Sequence, residues 1–291
     1  MDLILVKLGT NVDRNGSVAE SSKRRVCTIA LIQVNFQSKA LQREVIFNAL
    51  IPIDTMEIPG KQKNNQGPMK ALYLLHGYSG GLTDWISFSN IRELSDRYHV
   101  AVFMPVGENH FYIDDKDRRA LYGEYVGNEL VQYTRELFPL SHLKEDTYIG
   151  GFSMGGYGAI RNGLKYAENF GRIIALSSAI ITYKIQNAGT DYDDGIADYK
   201  YLKSVFGDLN QLQGSDKDPE ALLNNLKNTD ISIPNIYLAC GTEDFLLDVN
   251  HKFRDFLQSE KVDHSYLESQ GEHSWDFWNE YIEKAFLWAI Q

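Results

Sequence analysis

The run Tyr148-Ile149-Gly150-Gly151-Phe152-Ser153-Met154-Gly155-Gly156-Tyr157-Gly158 decides how this chain folds. Thr147 to Ile149 open it as a short apolar strand, and Ala159, Ile160, Leu164 and Ala167 continue it at helical spacing. Between them, Gly151, Ser153 and Gly155 spell G-x-S-x-G. A serine in so sharp a strand-to-helix turn lifts its hydroxyl above the strand end. The turn is crowded, so the positions two residues before and after it must lack side chains. The helix that begins after Ser153 also presents free N–H groups and partial positive charge, which makes the Met154 amide a donor for an anionic oxygen. A glycine-rich turn with an idle surface serine is the competing reading, and the flanking strand and helix weigh against it.

The pattern around this motif is consistent with it. Ile32, Val34 and Phe36 interleave with Gln33, Asn35 and Gln37, and Val45, Phe47, Ala49 and Ile51 repeat the alternation up to Pro52. With the turn Ser38 to Leu41 between them, these predict an antiparallel hairpin. Beyond a polar surface loop at 59–68, the apolar runs lose their alternation: 71–75, 100–104, 147–149, 173–176 and 236–239. Such runs suit strands covered on both faces. They alternate with helical faces at Leu130, Thr134, Leu137 and Phe138, at Val249, Phe253, Phe256 and Leu257, and at Trp278, Tyr281, Ile282, Ala285 and Ala289. The expected fold is α/β: a mostly parallel, doubly wound sheet with an antiparallel N-terminal hairpin. Residues 1–24 read as a tail and 25–291 as one catalytic domain, with the weakly periodic stretch 183–228 as an irregular insertion or partial cap.

Three further loops can supply partners to Ser153. Leu74-Leu75-His76-Gly77-Tyr78-Ser79-Gly80-Gly81 follows an apolar strand, so its glycines can turn the Tyr78 amide toward the serine as a second donor, with His76 structural. Asn235 to Cys240 is a later strand followed by Gly241-Thr242-Glu243-Asp244. Asp244 is the preferred acid and Glu243 its rival, whereas Asp248 precedes a helix and reads as its N-cap. Of the histidines after it, His251 falls within a helix and His264 begins a strand; His273 lies in the loop Gln270 to Trp275 ahead of the last helix. A loop there lets its imidazole reach both a hydroxyl and a carboxylate.

Composition narrows the partners. A net charge of −10 opposes nucleic acid and anionic membranes. No apolar run approaches the roughly 20 residues of a membrane span. The start Met1 to Val6 lacks the basic and apolar regions of a secretory signal, so a cytoplasmic setting is expected. The two cysteines, Cys27 and Cys240, read as reduced buried thiols. The acidic Asp191-Tyr192-Asp193-Asp194-Gly195 lacks the later ligands of a calcium loop and reads as solvated. No metal or organic cofactor is called for, and homo-oligomerisation stays open. Trp85, Tyr122 and Tyr125 are candidates to line a substrate pocket, with aromatic core packing an equal alternative.

Taken together, His76-Gly77-Tyr78 with Trp85, Gly151 to Gly156, Gly241 to Asp244, and His273-Ser274-Trp275-Asp276-Phe277-Trp278 resemble the putative esterase family of α/β-hydrolases. That family spans tributyrin esterases, S-formylglutathione hydrolases, feruloyl esterases and mycolyltransferases, and the tributyrin-esterase branch is the most similar. The resemblance covers about residues 25–291. It implies a serine carboxylesterase for short acyl esters, with Ser153 nucleophile, His273 base, Asp244 acid, and the Met154 and Tyr78 amides as oxyanion hole. Gly77-Tyr78-Ser79-Gly80 departs from the Gly-Leu-Thr-Cys expected of S-formylglutathione hydrolases. Acyl transfer, feruloyl or acetyl-sugar ester hydrolysis, and an inactive binding module on the same fold are the alternatives.

Overall fold

Alternating apolar residues build one margin of the sheet. β1 (Ala30–Ser38) and β2 (Arg43–Ile51) pair antiparallel, from Ala30 opposite Ile51 to Ser38 opposite Arg43. β1 exposes Leu31, Gln33, Asn35 and Gln37 and turns Ile32, Val34 and Phe36 inward, which is the expected period-2 hairpin. The computed structural model describes residues 29–53 and 67–291. The expectations for the 1–24 tail, for Cys27 and for the surface loop up to residue 66 fall outside the described residues.

The chain then alternates strands and helices. β3 (Lys70–Leu75), α1 (Asp84–Phe88), α2 (Ile91–Tyr98) and β4 (Val100–Pro105) come first. A two-residue hairpin, β5 (Asp114–Asp115) and β6 (Ala120–Leu121), leads through α3 (Tyr122–Glu124) and one π-helical turn into α4 (Leu130–Leu137). β7 (Thr147–Phe152), α5 (Met154–Lys165) and β8 (Arg172–Leu176) form the centre. α6 (Thr182–Ile185), α7 (Tyr199–Phe206) and α8 (Pro219–Leu226) precede β9 (Asn235–Gly241), α9 (Leu247–Ser259), β10 (His264–Ser269) and α10 (Trp275–Ala289). The eight-stranded order is β1-β2-β4-β3-β7-β8-β9-β10, parallel from β4 to β10.

Apolar runs without polar alternation are strands with both faces covered, and the side chains show it. In β4, Ala101 and Phe103 enter one core while Val100, Val102 and Met104 enter the other. β8 divides likewise, Ile173 and Ala175 against Ile174 and Leu176. In register, Phe152 lies opposite Leu176 and Leu176 opposite Ala239, so neighbouring strands end at nearly one level. Loops leaving those ends therefore meet above one sheet edge. No described helix is long and apolar enough to cross a membrane.

The stretch read as irregular is more ordered than its weak periodicity predicts. α7 and α8 bury Leu202, Val205, Phe206, Leu222, Leu223 and Leu226. Asp198 and Asp218 cap them by accepting the Tyr201 and Glu220 amides. Short helices carry too few turns for a clear stripe, so their caps are the better signal.

An ion cluster ties this region to α5. Arg161 is wholly buried, and its guanidinium meets Asp216 at 2.6 Å and Asp114 at 3.3 Å; Lys165 reaches the same two carboxylates at 2.8 and 2.9 Å. Burial opposes the charge on Asp114, but Arg161 and Lys165 outweigh it and hold its pKa below the ordinary carboxylate value. A carboxylate lowered in this way stabilises the fold above its unfolded pKa, roughly pH 4, and that contribution disappears as pH falls through the folded value. Asp114→Asn should cost about 3 kcal/mol at neutral pH by leaving Arg161 undercompensated. Urea titrations at descending pH should also show a shallower acid loss in the variant than in the wild type.

Candidate active site

Ser153 caps the helix that follows β7 with φ 54° and ψ −121°, a conformation that costs a non-glycine residue about 1–3 kcal/mol. Three hydrogen bonds hold it there. Its amide donates to Leu176 O at 2.9 Å, and its carbonyl accepts from Tyr157 at 3.1 Å and Ala179 at 2.9 Å. A Cβ at Gly155 would lie 2.5 Å from Leu75 O and 2.7 Å from His76 O, and one at Gly151 would lie 2.5 Å from the Gly155 backbone. The glycines of the motif are thus the condition for β3 and α5 to pass backbone to backbone.

That close passage places the 76–81 loop. Gly77 lies against Phe152, where a Cβ would come within 2.4 Å of the ring. His76 is buried, with Nδ1 on Gly77 O at 2.8 Å and Nε2 accepting the Gly107 amide at 2.9 Å. Burial pushes its pKa down, so a neutral ring with its proton on Nδ1 satisfies both contacts. Both nitrogens are spent on scaffolding. Farther along, the Ser79 amide donates to Asn109 Oδ1 at 2.8 Å, and Tyr201 of α7 donates its hydroxyl proton to Asn109 O at 2.6 Å. Among the described residues, neither the Tyr78 amide nor the Met154 amide donates a hydrogen bond within the protein.

Three side chains distant in sequence converge above the sheet edge. His273 Nε2 stands 3.0 Å from Ser153 Oγ, and its Nδ1 stands 2.9 Å from Asp244 Oδ2. Asp244 is buried, while His273 keeps 18% of its side chain exposed. Burial would raise the Asp244 pKa, yet hydrogen bonds from His273, the Leu246 amide and Ser177 prevail and hold it below the usual range. Glu243, the rival acid, turns aside and accepts the Gly271 amide at 3.2 Å. Asp248 is not an N-cap: α9 starts at Leu247, Asp248 is inside its first turn, and Asp244 Oδ1 accepts the Leu246 amide at 2.9 Å. The helix thus has Leu246 as its N-cap and no side-chain cap.

The aromatic candidates separate from the site. Trp85 is buried, its indole N–H on Leu75 O at 3.0 Å and its ring edge-on to Phe152 and Trp275. It supports the serine turn from behind. Tyr125 lies in the core beside Phe36, and Tyr122 stacks on His110 with its hydroxyl on Arg43. All three are at most 2% exposed, so the burial favours core packing over a pocket wall. Aromatic residues that were not among the pocket candidates stand closer. Trp278 stacks on Phe152 at 4.2 Å, meets the His273 ring edge-on at 4.9 Å, and donates its indole N–H to Ser177 Oγ at 3.1 Å. An indole can only donate, so Ser177 Oγ is the acceptor in this bond. Phe245 also borders His273, with their rings 4.6 Å apart.

A hydroxyl, an imidazole and a buried carboxylate in this order can carry out nucleophilic acyl chemistry without further groups. Comparison with known proteins agrees. A profile of the family described as "Putative esterase" matches residues 38–289. An acetyl esterase of Caldicellulosiruptor saccharolyticus is 50% identical over 260 residues, covering 89% of this chain and 98% of that protein. Among solved structures, the S-formylglutathione hydrolase FrmB of Staphylococcus aureus superposes with TM-score 0.76 at 26% identity, over 91% of this chain and 100% of the other. The fluorophosphonate-binding serine hydrolase FphF of Staphylococcus aureus gives 0.77 at 26% identity, over 90% and 99%. With its mixed sheet and its helices on both faces, the chain belongs to the putative esterase family and is an α/β-hydrolase acting on carboxylic esters.

Proposed function

We propose that the protein hydrolyses short-chain acyl esters, acetyl esters foremost, through Ser153, His273 and Asp244. The observation that carries the mechanism is the unbroken line of contacts from Asp244 through His273 to Ser153, at 2.9 and 3.0 Å. The acyl preference rests on the likeness to the acetyl esterase. Ser153 Oγ attacks the ester carbonyl and passes its proton to His273 Nε2. The carbonyl oxygen becomes an anion facing the Met154 and Tyr78 amides. The bond from acyl carbon to alcohol oxygen then breaks, and His273 returns its proton to that oxygen. Water, losing a proton to His273, attacks the acyl-serine and releases the carboxylic acid, with the proton going back to Ser153. Asp244 fixes the tautomer with Nδ1 protonated and stabilises the imidazolium. Residues 183–228 act as a partial cap, a reading supported by the bond from Tyr201 to Asn109.

Ser153→Ala should abolish p-nitrophenyl acetate turnover and fluorophosphonate labelling while leaving the circular dichroism spectrum unchanged. Retained turnover defeats the proposal. Asp244→Asn should lower kcat by about 10⁴-fold through the wrong histidine tautomer. Gly155→Ala forces a Cβ against the Leu75 and His76 carbonyls, displacing the loop that carries the Tyr78 amide. It should lower kcat by about 100-fold, as loss of one oxyanion donor does, together with the thermal midpoint.

A further inference from the structure

Phe245 is 55% exposed, although its neighbours Asp244 and Leu246 are 5% and 3% exposed. The cause is local. Asp244 Oδ1 accepts the Leu246 amide at 2.9 Å, and this two-residue turn throws the intervening side chain outward. The backbone of that turn is held a second time, by Lys184 Nζ on Phe245 O at 3.4 Å. The ring is not dispersed into solvent at random. It lies 4.6 Å from the imidazole of His273, inclined at 49°, with the rest of its surface open.

Reaction chemistry says what passes over that surface. If His273 protonates the departing oxygen, the alcohol portion of the ester must lie beside the imidazole. The carbonyl oxygen is drawn the other way, toward the Met154 and Tyr78 amides. An apolar ring packed on the imidazole therefore adjoins the alcohol and not the oxyanion. Aromatic faces favour flat apolar partners, in offset or edge-to-face contact.

We propose that Phe245 selects the alcohol portion of the substrate, forming a platform for leaving groups that present a flat apolar face, aryl alcohols above all. This assignment rests on the catalytic reading of Ser153 and His273. Its test uses phenyl acetate and methyl acetate, which form the same acetyl-enzyme and differ only in the group that leaves. The quantity to measure is the ratio of kcat/KM for the phenyl ester to that for the methyl ester, in variant relative to wild type, so that intrinsic reactivity cancels. Phe245→Ala should lower the ratio by about tenfold, Phe245→Leu should lower it by less, and Phe245→Trp should keep it near the wild-type value. The rate of acetyl-enzyme breakdown should not track the ratio, because the alcohol has gone by then.

A ratio within about twofold of wild type in both Phe245→Ala and Phe245→Leu overturns the assignment. So does an equal loss on both esters, which would mark Phe245 as a support for His273 and nothing more. These results leave the nucleophile standing as long as the variants still label with a fluorophosphonate at Ser153. Turnover by Ser153→Ala, in contrast, removes the foundation under both readings.

Discussion

Backbone crowding between the end of β3 and the start of α5 governs this molecule. At Gly155 the carbonyls of Leu75 and His76 stand where a Cβ would have to go. Everything functional depends on that approach. It brings the 76–81 loop against Phe152 and leaves Ser153 on a backbone with positive φ. The strain is sustained because Leu176, Tyr157 and Ala179 each hold the Ser153 backbone. A flexible turn could carry the same side chains but could not hold Ser153 in that one conformation.

The groups that would perform chemistry also hold the fold together. Asp244 orients His273 and at the same time accepts the amide of Leu246 at the entry to α9. Trp278 packs on Phe152, borders His273, and donates its indole N–H to Ser177 Oγ. A buried carboxylate is costly unless several donors meet it, and here they do. Stability and activity cannot be varied separately at such positions. Arg161 and its carboxylates do comparable work farther along α5, joining it to the strands before it and the helices after it.

Much of this was legible in the chain. Strands covered on both faces announce themselves as unbroken apolar runs, so β3, β4, β7, β8 and β9 were expected within a few residues of their ends. Ser153, Asp244 and His273 were singled out by their loops, and the structure brings those three side chains to hydrogen-bonding distance. What escaped has common physical causes. Trp85, Tyr122 and Tyr125 have the same composition signature in a pocket as in a core, and only burial separates the two. Asp248 reads as a cap in the chain because a helical pattern follows it, but α9 begins one residue earlier, at Leu247, and takes Asp248 into its first turn. Asn109 and Tyr201 meet across 92 residues with no local pattern to disclose it.

That last contact couples two segments distant in the chain. The hydroxyl of Tyr201 grips the carbonyl of Asn109, whose side chain grips the amide beside Tyr78, while the Tyr201 and Tyr78 rings meet edge to face at 5.6 Å. The stretch with the weakest periodicity is thus clamped to the loop that follows β3. A change in α7 that moves Tyr201 is therefore transmitted through Asn109 to the Ser79 amide, more than a hundred residues away in the chain.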